Sequence, residues 1–324
     1  MAKLEDELAK LNELDLSDPD EADAVSKVLS RALAGKNNHL IARTATLIGE
    51  QKLESLLPKL EHTFERMFPT ASRADKGGSA MTALAKSMTL LNSQASELFA
   101  AGSRHVQMEP VYGGKIDVAD HLRGWCAQGL AQTGDPDALT HIAGLLADPC
   151  PQTRLAAIKA VEISGRADVG LPLLMLKIAQ GDPEPQVYGQ CVTAILHLGG
   201  ASGVEWFKPL LNHDDPSVVE QVLLAIGQSR DISLSDLLID FYERSLEPDI
   251  QKSALLAMAM LRSESTLTYL EDLVIDGSER AADQAIDALG IYHYDKVLKQ
   301  KLTEYCTDRD DRFLIQKIQA IFDQ

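Results

Sequence analysis

Residues 148–161 read Asp148-Pro149-Cys150-Pro151-Gln152-Thr153-Arg154-Leu155-Ala156-Ala157-Ile158-Lys159-Ala160-Val161. An acid and two prolines are followed by an unbroken run of helix-compatible residues. Pro151 suits the first turn of a helix, because the N–H it lacks would have had no partner there. Ala157, Ala160 and Val161 fall at i, i+3 and i+4, so small side chains share one face and a neighbouring helix can approach closely.

The same punctuation returns along the C-terminal two thirds. Prolines open helices at Pro151, Pro185, Pro216 and Pro248, spaced 31 to 34 residues apart. Gly129, Ala160, Ala194, Ala225, Ala257 and Ala288 form a column of small residues with spacings of 31, 34, 31, 32 and 31. The next position is always apolar: Leu130, Val161, Ile195, Ile226, Met258 and Leu289. Three residues before the column stand Cys126, Ala157, Cys191, Val222, Ala254 and Ala285. Three columns in one register identify a repeat protein. Each unit reads as two helices. The first stops at a glycine, as at Gly134, Gly165 and Gly199-Gly200. The second carries a denser stripe, such as Leu171, Leu174 and Ile178, or Leu234, Leu237, Leu238 and Phe241.

Two helices cannot bury both faces alone, so the units must stack. The composition agrees: hydrophobic residues make up 45% and aromatics only 5%, a mix suited to packed helices rather than sheets. The expected fold is all-α, a right-handed α-solenoid of stacked antiparallel helix pairs. Its divisions are an acidic N-terminal helix over 1–17, irregular helical repeats over 18–117 with a loop at 104–117, a regular array over 118–310, and a capping helix over 311–324. In that last helix Leu314, Ile318 and Ile321 alternate with polar residues.

The run Gly134-Asp135-Pro136-Asp137-Ala138-Leu139, then Leu145 to Pro149, then Thr153 to Ala157 resembles a HEAT repeat of the short bacterial type also seen in phycobilisome lyases. Asp-Pro followed five positions on by Arg occurs in full once, at Asp148 and Arg154. In later units the Arg position holds Tyr188, Val219 and Gln251, so the Asp–Arg ladder of ideal repeats is mostly absent. The resemblance covers residues 118–310 well and the first 110 only loosely. It implies a fold shared by many unrelated activities, one of which is a lyase-like or chaperone-like role on a chromoprotein. The segment from Arg104, with Asp117 to Gly124, also resembles a group of bacterial HEAT-repeat proteins that supplies no activity.

In the N-terminal third, helical patterns cover 20–34, 38–49 and 50–67, a polar stretch at 69–79 reads as a loop, and 80–102 as a helical pair. The segment Arg104 to Lys115 is the longest non-periodic stretch. It carries Arg104, His105 and Glu109 for directional bonds, Tyr112 as an amphipathic anchor, and Gly113-Gly114 for unusual backbone. Two readings stand. It is a recognition loop, since solenoid insertions emerge on one face, or it is a strut with Val106, Met108 and Val111 tucked against helices. Trp125 is core or a neighbouring anchor.

Lys and Arg number 31 against 48 Asp and Glu, a net charge of −17. Duplex binding needs clustered cations, so the balance argues against a nucleic-acid partner and favours a basic one. The first 23 residues alone hold nine acids against Lys3 and Lys10. Asp236, Asp240, Glu243, Glu271 and Asp272 add acids on second helices. The column Lys177, Lys208, Asp240 and Asp272 is of mixed sign, better suited to ion pairs between repeats or a zwitterionic groove than to phosphate. There is no Walker loop, no G-x-S-x-G and no H-E-x-x-H. His-Glu dipeptides, which supply iron ligands in one HEAT-repeat hydroxylase family, do not occur; Glu61-His62 is in the reverse order. Cys126, Cys150, Cys191 and Cys306 show no ligand spacing.

No catalytic, metal or cofactor residues are expected. The start lacks a signal-peptide pattern and no run approaches a membrane span, which suggests a reduced, cytoplasmic protein. The expected function is a non-enzymatic scaffold or adaptor for a protein or peptide partner with a basic surface, neither nucleic acid nor membrane. The alternative is the lyase-like or chaperone-like role, and an enzyme or nucleic-acid binder stands behind both.

Overall fold

A computed structural model describes residues 22–323; the acidic helix expected over 1–17 lies outside them. The chain divides into two compact units, Met1–Leu173 and Leu174–Gln324. Apart from one two-stranded hairpin, every regular element among the described residues is helical.

In the first unit the helices Asn38–Glu50, Ser79–Leu90, Asp120–Gln132 and Pro151–Ile163 stack in that order. Leu57–Met67 covers Ser79–Leu90, and Ser96–Gly102 covers Asp120–Gln132. In the second unit Pro185–Gly199, Pro216–Ser229, Pro248–Leu261 and Glu279–Leu289 stack likewise. Ser235–Arg244 and Glu264–Asp276 form their second layer against Pro248–Leu261.

The small-residue column is what makes this stacking close. Gly129 and all five alanines of the column are buried. A Cβ at Gly129 would run into the Phe99 ring and the Thr89 hydroxyl. Two residues beyond Ala225, a Cβ at Gly227 would lie 2.8 Å from the Cα and the carbonyl oxygen of Ala257. At Gly227 the neighbouring helices therefore meet nearly backbone to backbone.

The four prolines all sit in the first turn of their helices. Gly200 stops its helix at φ 53° with ψ −146°, whereas the stops at Gly134 and Gly165 are left-handed, with φ of 71° and 63°. Arg230 and Arg262 take the same conformation in the next two units, at 55° and 61°. So do Lys52 and Asn92 in the N-terminal third, at 52° and 54°.

Three local expectations need correction. The stretch 69–79, read as a loop, is largely short helical turns: Phe68–Thr70, Ala71–Ala74 and Lys76–Gly78. Two second helices are cut short. Ala138–Ala143 tightens into the 3-10 turn Gly144–Ala147, and Val204–Phe207 into Lys208–Asn212. Gly144 is a weak helix former and Pro209 removes a backbone donor, so neither sustains a full α-turn. The last helix, Arg312–Phe322, lies against Glu279–Leu289 and Lys296–Asp308 and buries Leu314, Ile318 and Phe322; Ile321 is only half-buried. Asp311 caps it, accepting from the N–H groups of Phe313 and Leu314 at 3.1 Å each.

Candidate functional site: a hairpin and its groove

The segment expected as a loop at 104–117 is instead a β-hairpin. Met108–Val111 pairs antiparallel with Gly114–Asp117, with Met108 opposite Asp117 and Val111 opposite Gly114. Tyr112-Gly113 makes the two-residue turn, and Gly113 takes a positive φ, 87°, which glycine adopts without strain.

Strand alternation sorts the side chains. Gln107 and Glu109 point to one side. The Gln107 amide donates to the Asp75 carbonyl and to Glu109 Oε1, each at 2.8 Å, and the Gly77 N–H donates to the same Oε1 at 2.8 Å. The Gly77 N–H foremost, with the Gln107 amide, holds the Glu109 carboxyl below its ordinary range. Val106 and Met108 point to the other side, 60% and 52% exposed. Val111 is also exposed, and Tyr112 at the tip is fully so. The packing that a strut would need at Val106, Met108 and Val111 is therefore missing. Polar bonds, not apolar burial, hold the hairpin in place.

The strongest of these bonds run through Arg123, which is 3% exposed. Its Nη1 donates to Asp117 Oδ2 at 2.5 Å and to the His105 carbonyl at 3.0 Å. Its Nε and Nη2 donate to the two oxygens of Asp148 at 2.8 and 3.0 Å. Burial works against the guanidinium charge, but the two carboxylates outweigh it and raise the Arg123 pKa. Burial likewise pushes the Asp117 carboxyl up. The N–H groups of Gln107 and Ala119, together with Arg123, more than reverse this and hold it below the ordinary value. One buried cation thus fastens the second strand to the turn before the next repeat.

Arg123 was not among the sequence candidates, although a signal for it exists. It stands 31 residues before Arg154, with Asp117 six residues before it, as Asp148 is before Arg154. This position reaches back by six residues in later units too. Arg154 donates to the Asp148 carbonyl at 3.0 Å, Tyr188 accepts from the Asp182 N–H at 3.0 Å, and Gln251 donates to the Ser245 carbonyl at 2.8 Å.

Beside the hairpin lies a mostly apolar groove of about 700 Å³, walled by Val106, Met108, Leu145 and Cys150. At its mouth Arg104 donates from Nη1 to His141 Nδ1 at 3.2 Å. Among the described residues no carboxylate lies within ion-pair distance of Arg104. Of the four candidates in this segment, Arg104 and Tyr112 face outward. His105 packs its ring 5.1 Å from that of Phe68, and Glu109 is bound to the loop beneath it. Trp125 is half-buried, with the Lys86 ammonium 5.7 Å from its ring.

In the second unit Asp236, Asp240 and Asp272 are exposed. Glu243 accepts from the Tyr269 hydroxyl at 3.3 Å; burial first, then this carboxylate, pushes Tyr269 up to about 12. Glu271 accepts from the Tyr305 hydroxyl at 3.1 Å and pairs with Lys301 at 3.7 Å. The mixed-sign column makes no ladder of its own: Lys177 pairs with buried Asp182 at 2.7 Å, and Lys208 lies 3.9 Å from Glu205. Among the described residues no group of three or more His, Cys, Asp or Glu could hold a metal ion. Nor is any helix long and apolar enough to cross a membrane. Cys126, Cys191 and Cys306 are buried small side chains, and burial pushes the Cys191 thiol up to about 12 and Cys306 to about 11.

No family model matches the chain, and no curated protein sequence matches it. Several solved structures match, among them two HEAT-like helical-repeat proteins. The complex of CpcE and CpcF of phycocyanin lyase from Nostoc sp. PCC7120 aligns at 15% identity over 92% of this chain and 93% of that one, with a TM-score of 0.38. Human deoxyhypusine hydroxylase in complex with glycerol aligns at 12% identity over 85% of this chain and 99% of that one, with a TM-score of 0.32.

Proposed function

We propose that this chain is a non-catalytic helical-repeat adaptor that holds a protein partner against the hairpin and groove of its first unit. The observation that carries this reading is the exposed apolar pair Val106 and Met108 on the groove side, with Tyr112 exposed at the tip, on a hairpin whose base is locked by a buried guanidinium. A rigid mount with an apolar, amphipathic tip binds without a large entropy loss. Exposed Asp236, Asp240 and Asp272 in the second unit favour a partner whose remaining surface is basic.

The test is co-purification from the native host with wild-type chain, with Met108→Asp and with Tyr112→Ala, read by mass spectrometry. A protein retained by wild type and lost by both hairpin variants, whose melting temperatures are unchanged, supports the reading. A bound protein indifferent to both variants refutes the site. With that partner in hand, Asp236→Lys, Asp240→Lys and Asp272→Lys together should slow association at low salt and flatten its salt dependence.

A further inference from the structure

We infer that the groove beside the hairpin takes an extended segment of the partner in which a large aliphatic side chain lies within a few residues of an aspartate or glutamate. This rests on the adaptor reading and deepens it. Val106, Met108 and Leu145 give the groove an apolar floor. The two acids in its lining, Asp117 and Asp148, are both turned onto Arg123, so neither offers charge to a ligand. What remains is Arg104. Its guanidinium has five N–H donors, and one is used on His141.

Arg104 is exposed and, among the described residues, has no acid within ion-pair distance, so in this groove it is the charge left to meet a ligand. Lys115 adds a second: it lies opposite Pro110 on the groove-facing side of the hairpin and is exposed. A basic segment would meet both as like charges, whereas a carboxylate fits the guanidinium fork. Pro110 has no N–H, so an incoming strand cannot complete a ladder along Met108–Val111. Recognition on this side therefore runs through side chains.

Panning a random-peptide phage library on the full chain, then measuring the selected peptides by fluorescence anisotropy, tests this. Selected peptides should combine Leu, Ile, Met or Phe with Asp or Glu. They should weaken about tenfold on Arg104→Ala and with rising salt, fail on Met108→Asp, and ignore Asp240→Ala. Lys- or Arg-rich peptides that ignore Arg104→Ala but are lost on Asp240→Ala overturn the inference and leave an adaptor that works elsewhere. Purely apolar peptides that ignore Arg104→Ala but fail on Met108→Asp overturn it too, with the groove still the site. A library yielding no peptide at all, on a chain whose hairpin variants also keep every co-purifying protein, removes both proposals.

Discussion

The carboxylate of Asp148 receives both the Nε–H and the Nη2–H of Arg123, at 2.8 and 3.0 Å, across 25 residues of sequence. A fork-to-carboxylate pair of this kind fixes orientation as well as distance. Because the same guanidinium also holds Asp117 and the His105 carbonyl, the hairpin and two successive repeats share one fastening.

Removing that cation leaves two largely buried carboxylates without their partner. Arg123→Met should cost about 3–5 kcal/mol, the range for breaking a buried pair. Arg123→Lys should recover only part, since an ammonium cannot form the fork. Urea unfolding measures the loss, and hydrogen exchange should show the Gln107 and Val118 amides opening faster. A loss below about 1 kcal/mol, the usual worth of an exposed pair, would mean the clamp is solvated.

The stack was legible because close helix packing restricts side-chain size, so the Gly129-to-Ala288 column stands in the sequence as it stands in the fold. The stops were half legible. Gly134 and Gly165 announce a left-handed residue, whereas Arg230 and Arg262 adopt the same conformation with side chains that give no sign of it. The hairpin was hidden although Val106-Gln107-Met108-Glu109 alternates with period two. Each strand is only four residues long, and Pro110 counts against a strand. Arg123 escaped because Asp117 is followed by Val118, not by the proline of the Asp148 unit. The groove itself joins residues from Ser103 to Cys150, a juxtaposition that exists only once the repeats have stacked.

Two glycines separate steric need from mere tolerance. A Cβ at Gly227 would stand 2.8 Å from the backbone of Ala257, while one at Gly144, in ordinary right-handed conformation, meets nothing within 4 Å. Gly227→Ala should therefore destabilise by about 1–3 kcal/mol, as overpacking does. Gly144→Ala should stabilise by about 0.4–1 kcal/mol through the unfolded chain. Ala225→Leu, in the neighbouring column, should resemble Gly227→Ala. Denaturant midpoints that moved the same way for Gly227→Ala and Gly144→Ala would contradict the backbone-to-backbone packing.

Arg230 ends the helix Pro216–Ser229 at φ 55° and ψ 23°, where earlier units place glycine. A left-handed non-glycine residue carries a conformational cost of about 1–2 kcal/mol, and glycine's greater freedom in the unfolded chain offsets about half of it. Arg230→Gly should thus raise stability by about 0.5 kcal/mol. Arg230→Val should lower it, because β-branching is least compatible with this conformation. Thermal melts of the two variants check the pair, and a gain on valine would refute the argument.

Asp117 makes the hairpin's fastening sensitive to acid. Its carboxyl is held below the ordinary value of 3.8, burial being outweighed by two backbone N–H groups and Arg123. A carboxyl depressed in the folded state binds its proton more readily when unfolded. Its contribution is therefore complete above the unfolded value and is lost as pH falls through the lower folded one. The stability difference between wild type and Asp117→Asn should be constant from pH 7 down to about 5 and shrink below about 4. Glu109, depressed chiefly by the Gly77 N–H, should behave in the same direction in Glu109→Gln. Hydrogen exchange at the Val118 amide, followed from pH 7 to pH 3 with the intrinsic rate divided out, reads the hairpin locally. Protection that falls less steeply with acid in Asp117→Asn than in wild type is the expected result, Glu109 carrying the remainder. Parallel profiles in the two proteins would show that Asp117 does not carry the acid response.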